Sequence, residues 1–135
     1  MTSTVIFKGA LRTECTHLKS GQQIITDAPV DNQGKGEAFS PTDLLATSLG
    51  SCMLTIMGIA ADRHHIDIRG TQVNITKIMA ENPRRVSGII AEIVFSETLQ
   101  LNDKEKTILE NAAKTCPVAK SLHPEIQQQI SFVYN

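Results

Sequence analysis

The groups in this chain most able to do covalent chemistry are three thiols, Cys15, Cys52 and Cys116. As a thiolate, cysteine is a strong nucleophile and a metal ligand; as a buried thiol it is a small hydrophobe. The three are widely separated and odd in number, unlike the dense cysteine framework of a small secreted domain. There is no CxxC and no histidine at ligand spacing, so no metal site is expected. Reactive or simply buried thiols remain. Cys52 stands inside LGSCMLTIMGI, an almost uncharged run, and Cys116 stands directly before Pro117. Cys15, in RTECTHL, alternates with Thr13 and His17 and reads as a strand residue rather than a third reactive centre.

The elements that must position these thiols follow from patterning. STVIFKGAL, RTECTHL and QQIITDA are short runs rich in β-branched residues, and Lys19-Ser20-Gly21 marks a turn between the second and third. A meander of three antiparallel strands is predicted. The polar stretch from Ala28 to Ser40 reads as a long surface loop with a function or mobility of its own. Its Gly34-Lys35-Gly36 lacks the strand, the spacing and the hydroxyl residue of a phosphate loop. Ser40-Pro41-Thr42-Asp43 then supplies an N-cap, a proline at the first helical position and an acid at the third, and predicts a helix to about Arg63 or His64. His64 and His65 suit the negative pole of that helix.

Residues 71–79 and 85–95 predict two long strands joined by the turn Glu81-Asn82-Pro83-Arg84, the second with Ile89, Ala91, Ile93 and Phe95 on its core face. Asn102-Asp103-Lys104-Glu105 opens a further helix carrying Ile108, Leu109, Ala112, Ala113 and Cys116 at helical spacing. Pro117 ends it or starts a short continuation, VAKSL, before a last strand, QISFVY. The order βββ-α-ββ-α-β predicts an α+β fold, as one domain over residues 1–135.

From Leu44 to Ala61 the chain has no charge, which reaches the threshold length for a membrane span. Thr47, Ser48, Gly50, Ser51, Thr55 and Gly58 inside the run, and Asp43 and Asp62 beside it, argue instead for a buried central helix, so no membrane is expected. At 100° per residue Leu45, Leu49, Cys52, Ile56 and Ile59 fall on one face, with the small residues elsewhere. Met53, Met57 and Met79 read as core or pocket lining. A helix apolar all round is hard to cover within a chain of two substantial helices. A homodimer in which two copies pack together would bury it.

Thirteen basic against fourteen acidic residues leave a net charge of −1, so no overall field draws the chain to nucleic acid or an anionic membrane. Tryptophan is absent and aromatics are few, which removes the usual stacking platform for bases. The start, MTSTVIFKGA, is strand-like and lacks the order of a signal peptide, so a cytoplasmic location is expected.

SPTDLLATSLGSC, followed by CPVAKSL around the last cysteine, resembles the osmotically inducible protein C and organic hydroperoxide resistance (OsmC/Ohr) superfamily, in its branch with a CPV second cysteine. The resemblance covers nearly the whole chain. It implies an intertwined α+β homodimer with antiparallel sheets around the long central helix and a thiol site at each subunit interface. It also implies thiol-dependent reduction of organic hydroperoxides, with Cys52 as the peroxidatic thiolate and Cys116 resolving its sulfenic acid as a disulfide. No bound cofactor is implied; an external dithiol, of lipoyl type or other, closes the cycle.

Physical chemistry adds conditions to that picture. A thiol among apolar side chains needs a positive partner to ionise near neutral pH. Cys116, before Pro117, falls where the N-terminus of a short helix would favour a thiolate. An apolar pocket favours an organic hydroperoxide, because the alkyl tail gains burial energy. The superfamily uses an Arg near the thiolate and a Glu to hold it. Arg12 is the choice for the cation, since Arg63 lies at the far end of the helix and Arg84 and Arg85 flank a turn. For the acid, Thr42 stands where the better-known reductases have one; Glu37 in the loop is the candidate, with Asp43 an alternative that also fits helix capping. That departure motivates a second reading, a non-catalytic module binding a small apolar or thiol-reactive ligand at the dimer interface; a redox-sensing dimer is a third.

Overall fold

The computed structural model describes residues 1–135. They form two compact units, Met1–Leu45 and Ala46–Asn135.

In the first unit, β1 (Ser3–Gly9), β2 (Arg12–His17) and β3 (Gln23–Asp27) make the expected antiparallel meander in the order β1-β2-β3. The turn around Ser20 sets the β2–β3 register so that Arg12 lies opposite Asp27 and Thr13 opposite Thr26. At the other hairpin Ala10 and Leu11 both adopt left-handed conformations, φ 53° and 59°. That is the backbone of a two-residue hairpin turn, built here without the usual Asn or Gly and at a conformational cost. The Ala28 N–H donates to the Leu11 carbonyl at 3.1 Å and holds the turn, so Arg12 leaves it in one orientation. The buried side chains of this unit are polar: Thr26, Asp27 and Ser40. Among its large apolar ones, Val5, Ile6, Phe7, Ile24, Val30 and Phe39 are more than half exposed.

The helix α1 (Pro41–Arg63) starts where the sequence predicts and ends at Arg63. Ser40 and Asp43 exchange reciprocal bonds, Asp43 N–H to Ser40 Oγ and Ser40 N–H to Asp43 Oδ2, each 3.0 Å, which satisfies two of the first-turn donors. In the second unit, β4 (Gln72–Ala80) and β5 (Arg85–Val94) form an antiparallel hairpin. The helices α2 (Asp103–Ala113) and α3 (Pro117–Ser121) return the chain to β6 (Gln127–Val133), which runs parallel to β5, so the second sheet is mixed and not antiparallel as the resemblance implies; the helical crossover between the two strands is what allows the parallel pairing. Asn102 and Glu105 form a capping box on α2, as their spacing predicts.

All the buried apolar side chains belong to this second unit. Ile89, Ala91, Ile93 and Phe95 present the expected core face of the β5 strand and its end, and Leu109, Ala113 and Cys116 meet them from the helices. The α1 face that joins this core is Ala46, Leu49, Gly50, Met53, Met57 and Ala61. Met53 and Met57 lie in the core, as expected; of the face formed by Leu45, Leu49, Cys52, Ile56 and Ile59 only Leu49 is buried, with Leu45 and Ile59 exposed and Cys52 and Ile56 flanking the core. Gly50 explains part of this. A Cβ there would stand 3.0 Å from Ile75 Cδ1 and 3.3 Å from Val73 Cγ1, so the bare backbone lets the helix seat on β4 at that point. Of the most apolar stretch of α1, 33% is buried by its own chain.

Met53 has no exposed surface, so Met53→Ala leaves a cavity and lowers unfolding free energy by about 2–5 kcal/mol. Urea denaturation measures this, and Thr55→Ala, on the exposed side of the same helix, serves as the near-neutral control.

Candidate active site

Cys52 projects from the middle of α1, beside the buried positions Leu49 and Met53, and is half-buried. Cys116 is fully buried at the junction of α2 and α3. Pro117 cannot continue an α2 ladder, so the chain turns at Cys116, whose extended backbone makes it the N-cap of α3. Its sulfur accepts the Ala119 N–H at 3.3 Å. Gln128 on β6 donates its side-chain amide to the Ala119 carbonyl at 3.0 Å and pins this turn to the sheet. Cys52 packs against the core cluster that contains Cys116, near enough for its thiol to affect the ionisation of Cys116, and both thiols are free.

Burial pushes the Cys116 thiol above the ordinary cysteine range; the Ala119 N–H pulls it part of the way back, and the adjoining Cys52 thiol pushes it up again. Cys116 does stand at the helix start, as expected, and the backbone N–H there favours its thiolate, but burial is the larger influence and the net shift is upward.

The other two expected site residues, Arg12 and Glu37, lie together in the first unit. Arg12 forms a fork on the fully buried Asp27, with Nε to Oδ1 at 2.7 Å and Nη2 to Oδ2 at 2.8 Å. Glu37 stands farther off, its Oε2 3.7 Å from Arg12 Nη2, and its side chain is 66% exposed. Its backbone N–H, however, donates to Asp27 Oδ2 at 3.1 Å. The dominant acid is therefore Asp27, which sequence reasoning missed. The signal lay in the meander: a turn centred near Ser20 places Arg12 opposite Asp27. Hydrogen bonding by Arg12 holds the Asp27 carboxyl below the usual carboxylate range and raises Arg12 in return. The side chain of Asp43 is engaged in capping α1. No group of three or more His, Cys, Asp or Glu side chains is arranged to hold a metal ion.

The sequence profile of the OsmC-like proteins matches residues 34–131. The chain belongs to the OsmC-like protein family. It is similar to the solved structure of a candidate osmotic stress induced and detoxification response protein from Psychrobacter arcticus 273-4, with 59% identity over 98% of this chain and 95% of that one, and a TM-score of 0.93. The OsmC-like fold is shared with an organic hydroperoxide resistance protein OsmC from Legionella pneumophila at 16% identity, covering 99% and 98% of the two chains with a TM-score of 0.69. It is also shared with an organic hydroperoxide resistance protein from Elizabethkingia anophelis at 14% identity, covering 100% and 97%, with a TM-score of 0.70. No curated protein matches. The α+β architecture expected from the sequence is that of the OsmC-like proteins, built from two sheets and the long helix.

Two outcomes follow from the electrostatics of this OsmC-like chain. In Cys52→Ala the neighbour that raises Cys116 is gone, so Cys116 titrates lower than in the wild type while burial keeps it above the ordinary cysteine range. The pH dependence of its alkylation, read by mass spectrometry, measures the shift. The Asp27 carboxyl, depressed in the folded state, contributes stability that is complete above the unfolded carboxylate range and is lost as pH falls through its folded value. The stability difference between wild type and Asp27→Asn, from urea unfolding, is accordingly largest near neutral pH and shrinks below about pH 4.

Proposed function

We propose that this OsmC-like chain is a thiol-dependent peroxidase that reduces organic hydroperoxides in oxidative-stress defence. The observation that carries the reading is the nearness of Cys52 to Cys116, two thiols that the fold gathers from separate helices. In the proposed cycle the Cys52 thiolate attacks one peroxide oxygen and the O–O bond breaks. Cys52 is oxidised to a sulfenic acid, and the departing alkoxide takes a proton to leave as the alcohol. The Cys116 sulfur then attacks the sulfenic sulfur; an S–S bond forms and water leaves. An external dithiol, of lipoyl type or other, exchanges with this disulfide, restores both thiols and is itself oxidised to a disulfide. Arg12 is assigned as the cation for the attacking thiolate and the developing alkoxide, with Glu37 among its acidic partners.

Substrate choice is read from apolar surface. A trough of about 550 Å³ lies one helical turn beyond Cys52, with Ile56, Ile59, Ala60, Ile108 and Ala112 as its apolar wall and Arg63, His64, Asn111 and Thr115 also lining it. An alkyl tail laid there gains roughly 0.8 kcal/mol per buried CH₂, a gain that hydrogen peroxide cannot make. The working unit of the proposal is an intertwined homodimer. It is supported by the exposed apolar side chains of the first unit and the open α1 face at Leu45 and Ile59. We place it in the cytoplasm, where a dithiol pool keeps the three cysteines reduced. No nucleic acid or membrane enters the scheme.

With a small alkyl hydroperoxide and a dithiol, Cys52→Ser abolishes turnover to the uncatalysed rate. Cys116→Ser slows it and lets Cys52 over-oxidise to the sulfinic acid, which intact-mass measurement detects. Oxidised wild type carries the Cys52–Cys116 bond in a non-reducing digest. Unchanged peroxide consumption in Cys52→Ser overturns the proposal and leaves the fold as a binding module.

A further inference from the structure

The geometry points to Gln128 as the positioning residue for the resolving thiol: its amide, anchored on β6, fixes the α3 turn that carries the Cys116 sulfur. The inference rests on the peroxidase reading for the reaction it serves, and on geometry for the rest. Side chains alternate along β6, and Gln128, Ile130, Phe132 and Tyr134 share its partly buried face. The last three pack on the core, so the pattern calls for an apolar residue at 128, where the chain has an amide. A polar group there needs a partner, and Gln128 Nε2 donates to the Ala119 carbonyl at 3.0 Å. Ala119 in turn donates its own N–H to the Cys116 sulfur at 3.3 Å. A single residue therefore stands between the amide and the sulfur, bonded on both sides.

The α3 helix cannot hold this geometry alone, because five residues are far too few for a helix to be stable by itself in water. Its internal bonds, the Lys120 N–H to the Cys116 carbonyl at 3.3 Å and the Ser121 hydroxyl to the Pro117 carbonyl at 2.8 Å, close the turn only on itself. Val118, Ala119 and Leu122 pack on the core, but apolar contact is non-directional and lets the turn shift. The Gln128 bond is directional, and its strand is held in register by β5, with Gln128 opposite the fully buried Ile89. Placement matters because two reactions compete for a Cys52 sulfenic acid. Either the Cys116 sulfur attacks it and water leaves, or a second hydroperoxide oxidises it to the sulfinic acid and departs as the alcohol. Cys116 has no exposed surface, so its position within the fold decides the first outcome.

Gln128→Met and Gln128→Glu on the full chain test the assignment. The first keeps the length of the side chain and removes the donor; the second keeps the shape and donates only when its carboxyl is protonated. By amide hydrogen exchange, the Ala119 N–H of Gln128→Met is expected to lose about tenfold in protection, the scale of one hydrogen bond, while the Ile130 and Phe132 amides of β6 keep theirs. In Gln128→Glu the same loss appears near neutral pH and is reversed as pH falls below about 4. With an alkyl hydroperoxide and a dithiol, Gln128→Met leaves the second-order rate constant of Cys52 with peroxide unchanged. The hydroperoxide concentration that carries half of Cys52 to the sulfinic acid in one turnover, read by intact mass, falls about tenfold. Loss of the fold moves both quantities; a misplaced Cys116 moves the second alone. Diamide, which takes two electrons and two protons from a thiol pair without any peroxide, closes the Cys52–Cys116 bond about tenfold more slowly in Gln128→Met. If that variant does not fold, Gln128→Glu at neutral pH carries both oxidation measurements. A closure rate equal to the wild type's, or an Ala119 N–H indifferent to position 128, overturns the assignment. Wild type that consumes no hydroperoxide, with closure by diamide still slowed in the variant, supports Gln128 as the holder of Cys116 and overturns the peroxidase reading instead.

Discussion

The seating of α1 on the β4–β5 hairpin is the constraint on which most of the molecule depends. Every buried apolar side chain lies in the unit that contains it, and Leu49, Met53 and Met57 supply its most deeply buried positions from the helix side. Close approach at Gly50 brings the helix backbone against Ile75 and Val73, and this helps to set the rotation of α1 about its axis. The rotation in turn decides where Cys52 points. Flanked by Leu49 and Met53, its thiol borders the core near Cys116 instead of facing open solvent with Ser51 and Thr55. One packing choice therefore links helix phase, thiol pairing and the side of α1 that stays uncovered.

The first unit obeys a different economy. It has no buried apolar cluster, and its order comes from the meander's backbone ladder and from polar contacts among Arg12, Asp27, Glu37 and the pair Thr13 and Thr26. Large apolar side chains on a three-stranded sheet with no layer of their own to cover them are unusual for an isolated unit. In the thiol unit burial opposes ionisation, as at Cys116, whereas in the first unit a buried carboxylate is kept charged by a directed guanidinium. The chemistry proposed for the chain needs both environments: dryness to retain an apolar peroxide, and a fixed cation to offset what dryness costs an anion.

The legible parts were those with local causes. Capping chemistry at Ser40 and Asn102, the proline at position 117, the turn at Lys19-Ser20-Gly21 and the alternation of β5 each act within a few residues, and the elements appear where those signals stand. The helix phase was not legible for a definite reason. A segment apolar on every side carries no periodic contrast, so nothing within it marks Leu49, Met53 and Met57 over Leu45 and Ile59 as the buried side. Asp27 was hidden for another reason: its role depends on the register between two strands, and nothing in its own neighbourhood marks it as the partner of Arg12.

By itself the amino-acid sequence determined the element order, the α+β class, the helix boundaries and the pair of cysteines worth watching, because propensity, capping and motif spacing are properties of short stretches. Only the tertiary structure decided which face of α1 is buried, that Cys116 lies near Cys52 with its thiol pushed up rather than down, and that Asp27 orients Arg12. Those outcomes turn on desolvation and on directional contacts between residues far apart in the chain, and such terms acquire values only when the chain is folded.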